Sequence, residues 1–265
     1  MLQLIQQGVL FLGTLLGGIT DAKTGYIYDK ITYPMIAIGA ILSFVQLQWF
    51  NIGLAVGIFI LMYIGYRFGK IGGGDVKIFT GIALLNPYNN LEFVLAIALF
   101  AAIGAMLFYS VFYSLKYLRK GFVLKDNKEG IRSAGVLGIA VIIYFFVLVQ
   151  NGFFNEMILY IIGVPFAAGI VFIALQKGIK KEFFEKKISL KEYEEDEIIV
   201  EERNTKKVLD IMKGKQLVGE KELSQMKKNG IKHIWVLRDL PRFGPFIFIG
   251  VIMAMLMPNI FSLLF

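Results

Sequence analysis

The chain has 265 residues, 57% of them hydrophobic, with 24 phenylalanines and a mean hydropathy of +0.66. A water-soluble domain of this length carries a mostly polar exterior, so the composition points to lipid and excludes an ordinary soluble fold. The formal net charge is +8, and the absence of cysteine excludes disulfides, thiolate metal sites and cysteine nucleophiles.

A hydrocarbon core about 30 Å thick needs about 20 apolar residues in a helix. In chain order the candidates are Leu2–Thr20, Ile31–Phe50, Ile52–Phe68, Leu91–Leu115, Ala134–Val149, Met157–Leu175 and Phe243–Leu264. Ile71–Leu85 is a further candidate, interrupted at its start by three glycines and an aspartate. Counting it predicts an all-α polytopic bundle of about eight transmembrane helices. The first run lacks a basic start and a small-residue cleavage site and ends in Asp21, so it reads as a first span rather than a secretory leader.

Charge sets the expected topology. With the N-terminus outside, the inner segments are 21–30, 69–77, 116–133 and 177–242. Together with Arg67 they hold all 28 Lys and Arg, while the outer connections hold only Glu92 and Glu156. So clean a separation follows the positive-inside rule and implies a multi-pass protein of the cell membrane. The basic balance then reflects topology and anionic lipid headgroups, and no nucleic-acid partner is expected.

Three parts are expected: a membrane bundle over 1–176, a cytoplasmic insert over 177–242 and a last transmembrane helix over 243–265. The insert carries 17 Lys/Arg and 13 Asp/Glu. Its opening, Lys177–Leu190, mixes basic residues with Ile179, Phe183, Phe184 and Ile188, a pattern suited to a helix lying along the membrane surface. Glu192–Glu202 is strongly acidic and reads as a solvated face or an attraction for a basic peptide. Lys206–Met212 and Glu220–Asn229 read as helices, the second stopped by Asn229-Gly230, and Ile231–Leu237 reads as a short strand. The insert is therefore expected to be a small α+β unit.

The inventory narrows the chemistry. The single histidine, His233, falls in the insert, so neither a Ser–His pair nor a His-rich zinc site can be built in the bundle. No metal and no cofactor are expected. Carboxylates remain. Asp21 closes the first span, and Asp75 follows Gly72, Gly73 and Gly74 at the mouth of the short fourth span, with Lys77 two residues on. The charge-derived topology puts both at the inner ends of their helices, hence at a similar depth. Ionisable groups there are costly and face a partner or a water-filled cavity. Two carboxylates brought together share a proton, so one can activate water while the other protonates a carbonyl or a leaving amine. Missing Cβ atoms at the glycines allow positive φ or close approach of another backbone. Lys77 would balance charge near the pair or anchor at the headgroups, and Asp29 would lie in a loop that meets substrate. A boundary aspartate can also be a solvated helix end, and a glycine run can be a packing site.

Two stretches carry a resemblance. Asp21-Ala-Lys-Thr-Gly-Tyr-Ile-Tyr-Asp29-Lys-Ile-Thr-Tyr-Pro34 resembles the first catalytic aspartate and following loop of the GxGD aspartyl proteases, in particular the type IV prepilin peptidase and archaeal preflagellin peptidase family. Gly72-Gly-Gly-Asp75-Val-Lys77 is similar to the G-x-G-D-x-K motif that holds the second. The likeness covers about residues 1–115 well. It implies an endopeptidase with Asp21 and Asp75 as its catalytic pair and with Gly72, Gly73, Gly74 and Lys77 shaping the site. Its substrates would be pilin or archaellin precursors, whose short basic leader is removed at the cytoplasmic membrane face. The chain departs from bacterial members in having Tyr28 where they place a proline. It also lacks their cysteine-rich zinc loop, so their methyltransferase activity is not carried over. Two other readings fit the aspartates: an intramembrane protease of the presenilin or signal-peptide-peptidase kind, and a proton- or cation-coupled transporter. The former usually has a tyrosine before its first aspartate, where this chain has Thr20. The latter places its site near the midplane.

Overall fold

The computed structural model describes residues 1–152, 156–194, 197–214 and 218–257. Ten α-helices and three strands are described: α1 Leu2–Thr24, α2 Asp29–Val45, α3 Trp49–Arg67, α4 Gly73–Leu84, α5 Leu91–Lys120, α6 Leu124–Gln150, α7 Glu156–Ile179, β1 Glu185–Ser189, β2 Ile198–Ile199, α8 Lys206–Met212, α9 Glu220–Lys228, β3 His233–Leu237 and α10 Gly244–Leu256. Five stretches are long and apolar enough to cross a membrane: α1, α3, α5, α6 and Ile162–Phe184. The other three expected spans correspond to shorter helices, with 17 residues in α2, 12 in α4 and 13 in α10. Residues 258–265 of the expected last span lie outside the described residues.

The chain forms two compact units. One comprises Met1–Ala101 and the chain from Glu185 to the end of the described residues, and the other comprises Ala102–Phe184.

In the first unit, α1 buries one stripe, Gln6, Leu10, Gly13, Thr14, Gly17, Gly18 and Asp21. These positions recur at three- and four-residue steps, the period of one helix face. The small residues on the stripe let neighbours come close, which lipid-embedded helices use in place of a hydrophobic driving force. An ideal Cβ on Gly13 would overlap Met35 Sδ of α2, and one on Gly17 would stand 2.9 Å from Ile78 Cδ1 of α4. A Cβ on Gly18 would stand 3.2 Å from the Gly244 carbonyl oxygen of α10. Around this stripe lies the core of Leu10, Met35, Ile78, Phe79, Ile82, Phe93, Ile97, Ile247 and Val251. The buried hydroxyls of Thr14 and Thr80 bond back to Leu10 and Val76 carbonyls of their own helices, each at 2.7 Å. That satisfies them without water, as a lipid setting requires.

An amide cluster gathers at the end where α1 starts. Gln6 Nε2 and Asn51 Nδ2 both donate to Gln48 Oε1, at 2.8 and 3.0 Å, and Asn51 Nδ2 also donates to the Asn86 carbonyl at 2.7 Å. Gln6, Asn51 and Asn86 are fully buried, so these bonds tie α1, the α2–α3 turn and the segment after α4 to one another.

The insert folds around an antiparallel sheet of order β1-β3-β2. The expected helices 206–212 and 220–229 appear as α8 and α9, and the expected strand appears as β3. The opening segment differs from expectation. After α7 a π-helical turn, Lys180–Phe184, ends the helix, and 185–189 pair with β3 as β1. Ile188 is the reason: it is buried with Ile199, Val208, Met212, Met226, Ile234 and Val236, and an alternating strand delivers it to that core. The acidic run is built in rather than uniformly solvated. Glu197 is buried and ion-paired with Arg238, and Glu194 accepts a hydrogen bond from the Tyr26 hydroxyl at 2.5 Å. Residues 195 and 196 of that run lie outside the described residues.

In the second unit, α6 and α7 pack along each other. Asn127 donates to the Tyr117 hydroxyl at 2.9 Å and accepts from the Gly178 N–H at 3.1 Å. Ion pairs Lys181–Asp126 and Lys120–Glu182, at 2.9 and 2.8 Å, close the same end.

Ile234 is fully buried at the centre of the insert's sheet. Ile234→Ala is expected to destabilise the insert by about 2–5 kcal/mol, the range for a large-to-Ala change in a packed core. Hydrogen exchange along β1 and β3 checks this, with amides of α1 to α4 unchanged.

Candidate active site

Helix α1 ends, and α4 and α10 begin, at one end of the first unit. Gly17 of α1 meets Ile78 of α4. Asp21 lies four residues beyond Gly17, about 6 Å nearer that end at 1.5 Å per residue. Asp75 lies three residues before Ile78, about 4.5 Å nearer the same end. Ile27, buried in the α1–α2 connection, packs against both helices: an ideal Cβ on Gly74 would stand 2.9 Å from Ile27 Cβ, and one on Gly17 3.5 Å from Ile27 Cγ2. The two aspartates are thus on adjoining helices at matching depth.

Each aspartate is held at a helix N-terminus. Asp75 is the third residue of α4, and its carboxylate turns back over the N-cap Gly72, where an ideal Cβ would stand 3.1 Å from Asp75 Oδ2. The first turn of a helix offers unpaired N–H groups and a positive dipole end, both favourable to a carboxylate. Asp21 is 7% exposed, and its Oδ2 accepts the Gly244 N–H of α10 at 2.7 Å. Asp75 is half-buried and more accessible.

The glycine run works through close approach. None of Gly72, Gly73 and Gly74 has a positive φ; Gly72 is extended at φ −70°, ψ 142°, while Gly69 just before them takes φ 65°. Any side chain at Gly74 would push Ile27 away, and one at Gly72 would crowd the Asp75 carboxylate.

Lys77 turns to Asp29 rather than to the aspartate pair: its Nζ lies 2.5 Å from Asp29 Oδ1 and 5.0 Å from the centre of the Tyr33 ring. Asp29 is the first residue of α2, so this pair pins the start of α2 to α4. His233 sits exposed at the start of β3, opposite Ser189. Among the described residues no cluster of three or more His, Cys, Asp or Glu could hold a metal ion.

Two residues that meet Asp21 belong to no motif in the sequence. Gly244 supplies the N–H to Asp21, and Arg242 donates from Nη1 to the Asp21 and Ala22 carbonyls at 2.7 and 3.3 Å. The available signal was local. Gly244-Pro245 at the start of a helix marks an N-terminus, and Arg242 two residues earlier is the last charge before the membrane.

The Lys77–Asp29 pair is partly exposed, with side chains 29% and 53% accessible. A double-mutant cycle with Lys77→Ala and Asp29→Asn is expected to give a coupling of about 0.2–1 kcal/mol in thermal unfolding, the range of exposed ion pairs.

With this geometry in view, residues 8–122 match the model of the type IV leader peptidase family. Over 96 residues the chain is 31% identical to the prepilin peptidase EppA of Methanothermobacter thermautotrophicus. That alignment covers 33% of this chain and 25% of the relative. No solved structure matches the chain. The matched segment carries both aspartates and the glycine run that opens α4.

Proposed function

We propose that the protein is a membrane aspartyl endopeptidase that removes the short basic leader of prepilin- or preflagellin-type precursors at the cytoplasmic membrane face, with Asp21 and Asp75 as its catalytic pair. The observation that carries this reading is the convergence of the two aspartates at one end of α1 and α4, in the segment that matches a leader peptidase family. The concentration of Lys and Arg in the segments on that side supports the cytoplasmic placement. Gly72, Gly73 and Gly74 shape the site by keeping the backbone close to Asp75, and the Lys77–Asp29 pair holds the α1–α2 connection over it.

Peptide hydrolysis follows from such a pair. One carboxylate accepts a proton from a water whose oxygen attacks the scissile carbonyl carbon, while the other, protonated, carboxyl gives its proton to the carbonyl oxygen. The tetrahedral diol then collapses. The C–N bond breaks, the nitrogen takes the proton held by the first carboxyl, and a diol hydroxyl returns a proton to the second. The pair ends as it began, with one proton shared.

The site lies at a helix end and not at the middle of a span, which favours a protease acting at the membrane boundary over a transporter with a midplane site.

Cleavage of a prepilin or preflagellin in membranes that contain wild type, Asp21→Asn or Asp75→Asn tests the reading. Asparagine keeps the shape and cannot share the proton. Each variant is expected to lose activity by about 100-fold or more while remaining inserted. Near-normal cleavage by either would make that aspartate structural and end the proposed mechanism.

A further inference from the structure

The last helix and its connection to the insert touch Asp21 directly, though they lie outside the segment that matches the leader peptidase family. Gly244 opens α10 and donates its N–H to Asp21 Oδ2 at 2.7 Å in a buried setting. The fit is steric as well as polar. An ideal Cβ on Gly244 would stand 2.8 Å from Asp21 Cβ, 3.0 Å from Oδ2 and 3.2 Å from Cγ, so only glycine leaves room for the carboxylate where it stands. Arg242 closes the contact from the other side, donating to the Asp21 and Ala22 carbonyls at the end of α1.

We infer that Gly244 is a positioning residue for Asp21: its N–H and its missing side chain fix which carboxylate oxygen is committed to the protein and which is left to the reaction. This rests on the peptidase reading above. A catalytic carboxylate displaced by about 1 Å loses on the order of 100-fold in rate, because the reacting atoms no longer line up. The connection from β3 to α10, with Arg242 and Gly244, thereby becomes part of the catalytic machinery. Arg242 does so by holding the Asp21 backbone.

The test is steady-state cleavage of a prepilin-type substrate by purified, detergent-solubilised full-length enzyme. Gly244→Ala places a methyl group against the Asp21 carboxylate. It is expected to lower kcat by about tenfold or more with KM within about twofold, the signature of an interaction needed in the transition state and not for binding. Gly250→Ala is the comparison. Its Cβ would stand 2.5 Å from the Ile97 carbonyl, so it strains the packing of the same helix six residues beyond Gly244. It is expected to lower the unfolding temperature while keeping kcat per folded enzyme within about twofold. Should Gly244→Ala fail to fold, Arg242→Ala decides: kcat is expected to fall several-fold, with partial recovery in Arg242→Lys.

An unchanged kcat in Gly244→Ala overturns the inference and leaves the peptidase reading standing, as does an equal loss of kcat in Gly250→Ala. If Gly244→Ala does not fold, an unchanged kcat in Arg242→Ala has the same consequence. Absence of cleavage by the wild type overturns both the reading and the positioning role.

Discussion

The end of α1 and the start of α10 cap each other, and the candidate site depends on that exchange. An α-helix leaves carbonyls unpaired at its last turn and N–H groups unpaired at its first. Here the Asp21 side chain serves the first turn of α10, and the Arg242 guanidinium serves the last turn of α1. Each charge also meets the favourable end of the other helix's dipole, negative at an N-terminus and positive at a C-terminus. Neither helix end could be buried beside the other without these partners, because unpaired backbone groups away from water cost several kcal/mol each.

The small residues of α1 make the exchange possible. Gly17 and Gly18 are adjacent, and each serves a different neighbour: Gly17 faces Ile78 of α4, and Gly18 faces the Gly244 carbonyl of α10. Asp21, one turn further, inherits both neighbours. It stands beside Asp75 because α4 is close, and it caps α10 because α10 is close. Two helix N-termini therefore converge on two carboxylates, which favours holding negative charge in an otherwise apolar bundle. Capping at Asp21 is compatible with the proposed catalytic role, since one oxygen can serve the N–H while the other stays available.

Helical architecture, the aspartates, the short α4 and the helices of the insert were all legible in the sequence. Long uncharged runs have few alternatives in lipid, where every backbone group must be satisfied within its own segment. Lys206–Met212 matched its expected limits because polar and apolar residues alternate there at the helical period. Segment 185–189 misled because basic residues interleaved with aromatic and aliphatic ones suit both a surface helix and an edge strand. The deciding contact, Ile188 with Ile234 and Val236, is made with a segment about 45 residues further along the chain.

The sequence by itself determined that this protein is a helical membrane protein, with two aspartates at helix ends, no cysteine and a single histidine placed outside the apolar runs. Composition, charge placement and inventory are properties of residues one at a time, and lipid admits few ways to use them. Only the tertiary structure decided that Lys77 belongs to Asp29, that the glycines of α4 act through close approach, and that Gly244 and Arg242 meet Asp21 from more than 200 positions away. Those outcomes turn on distances of a few tenths of an ångström between helices remote in the chain. Packing sets such distances, and no local pattern of residues encodes them.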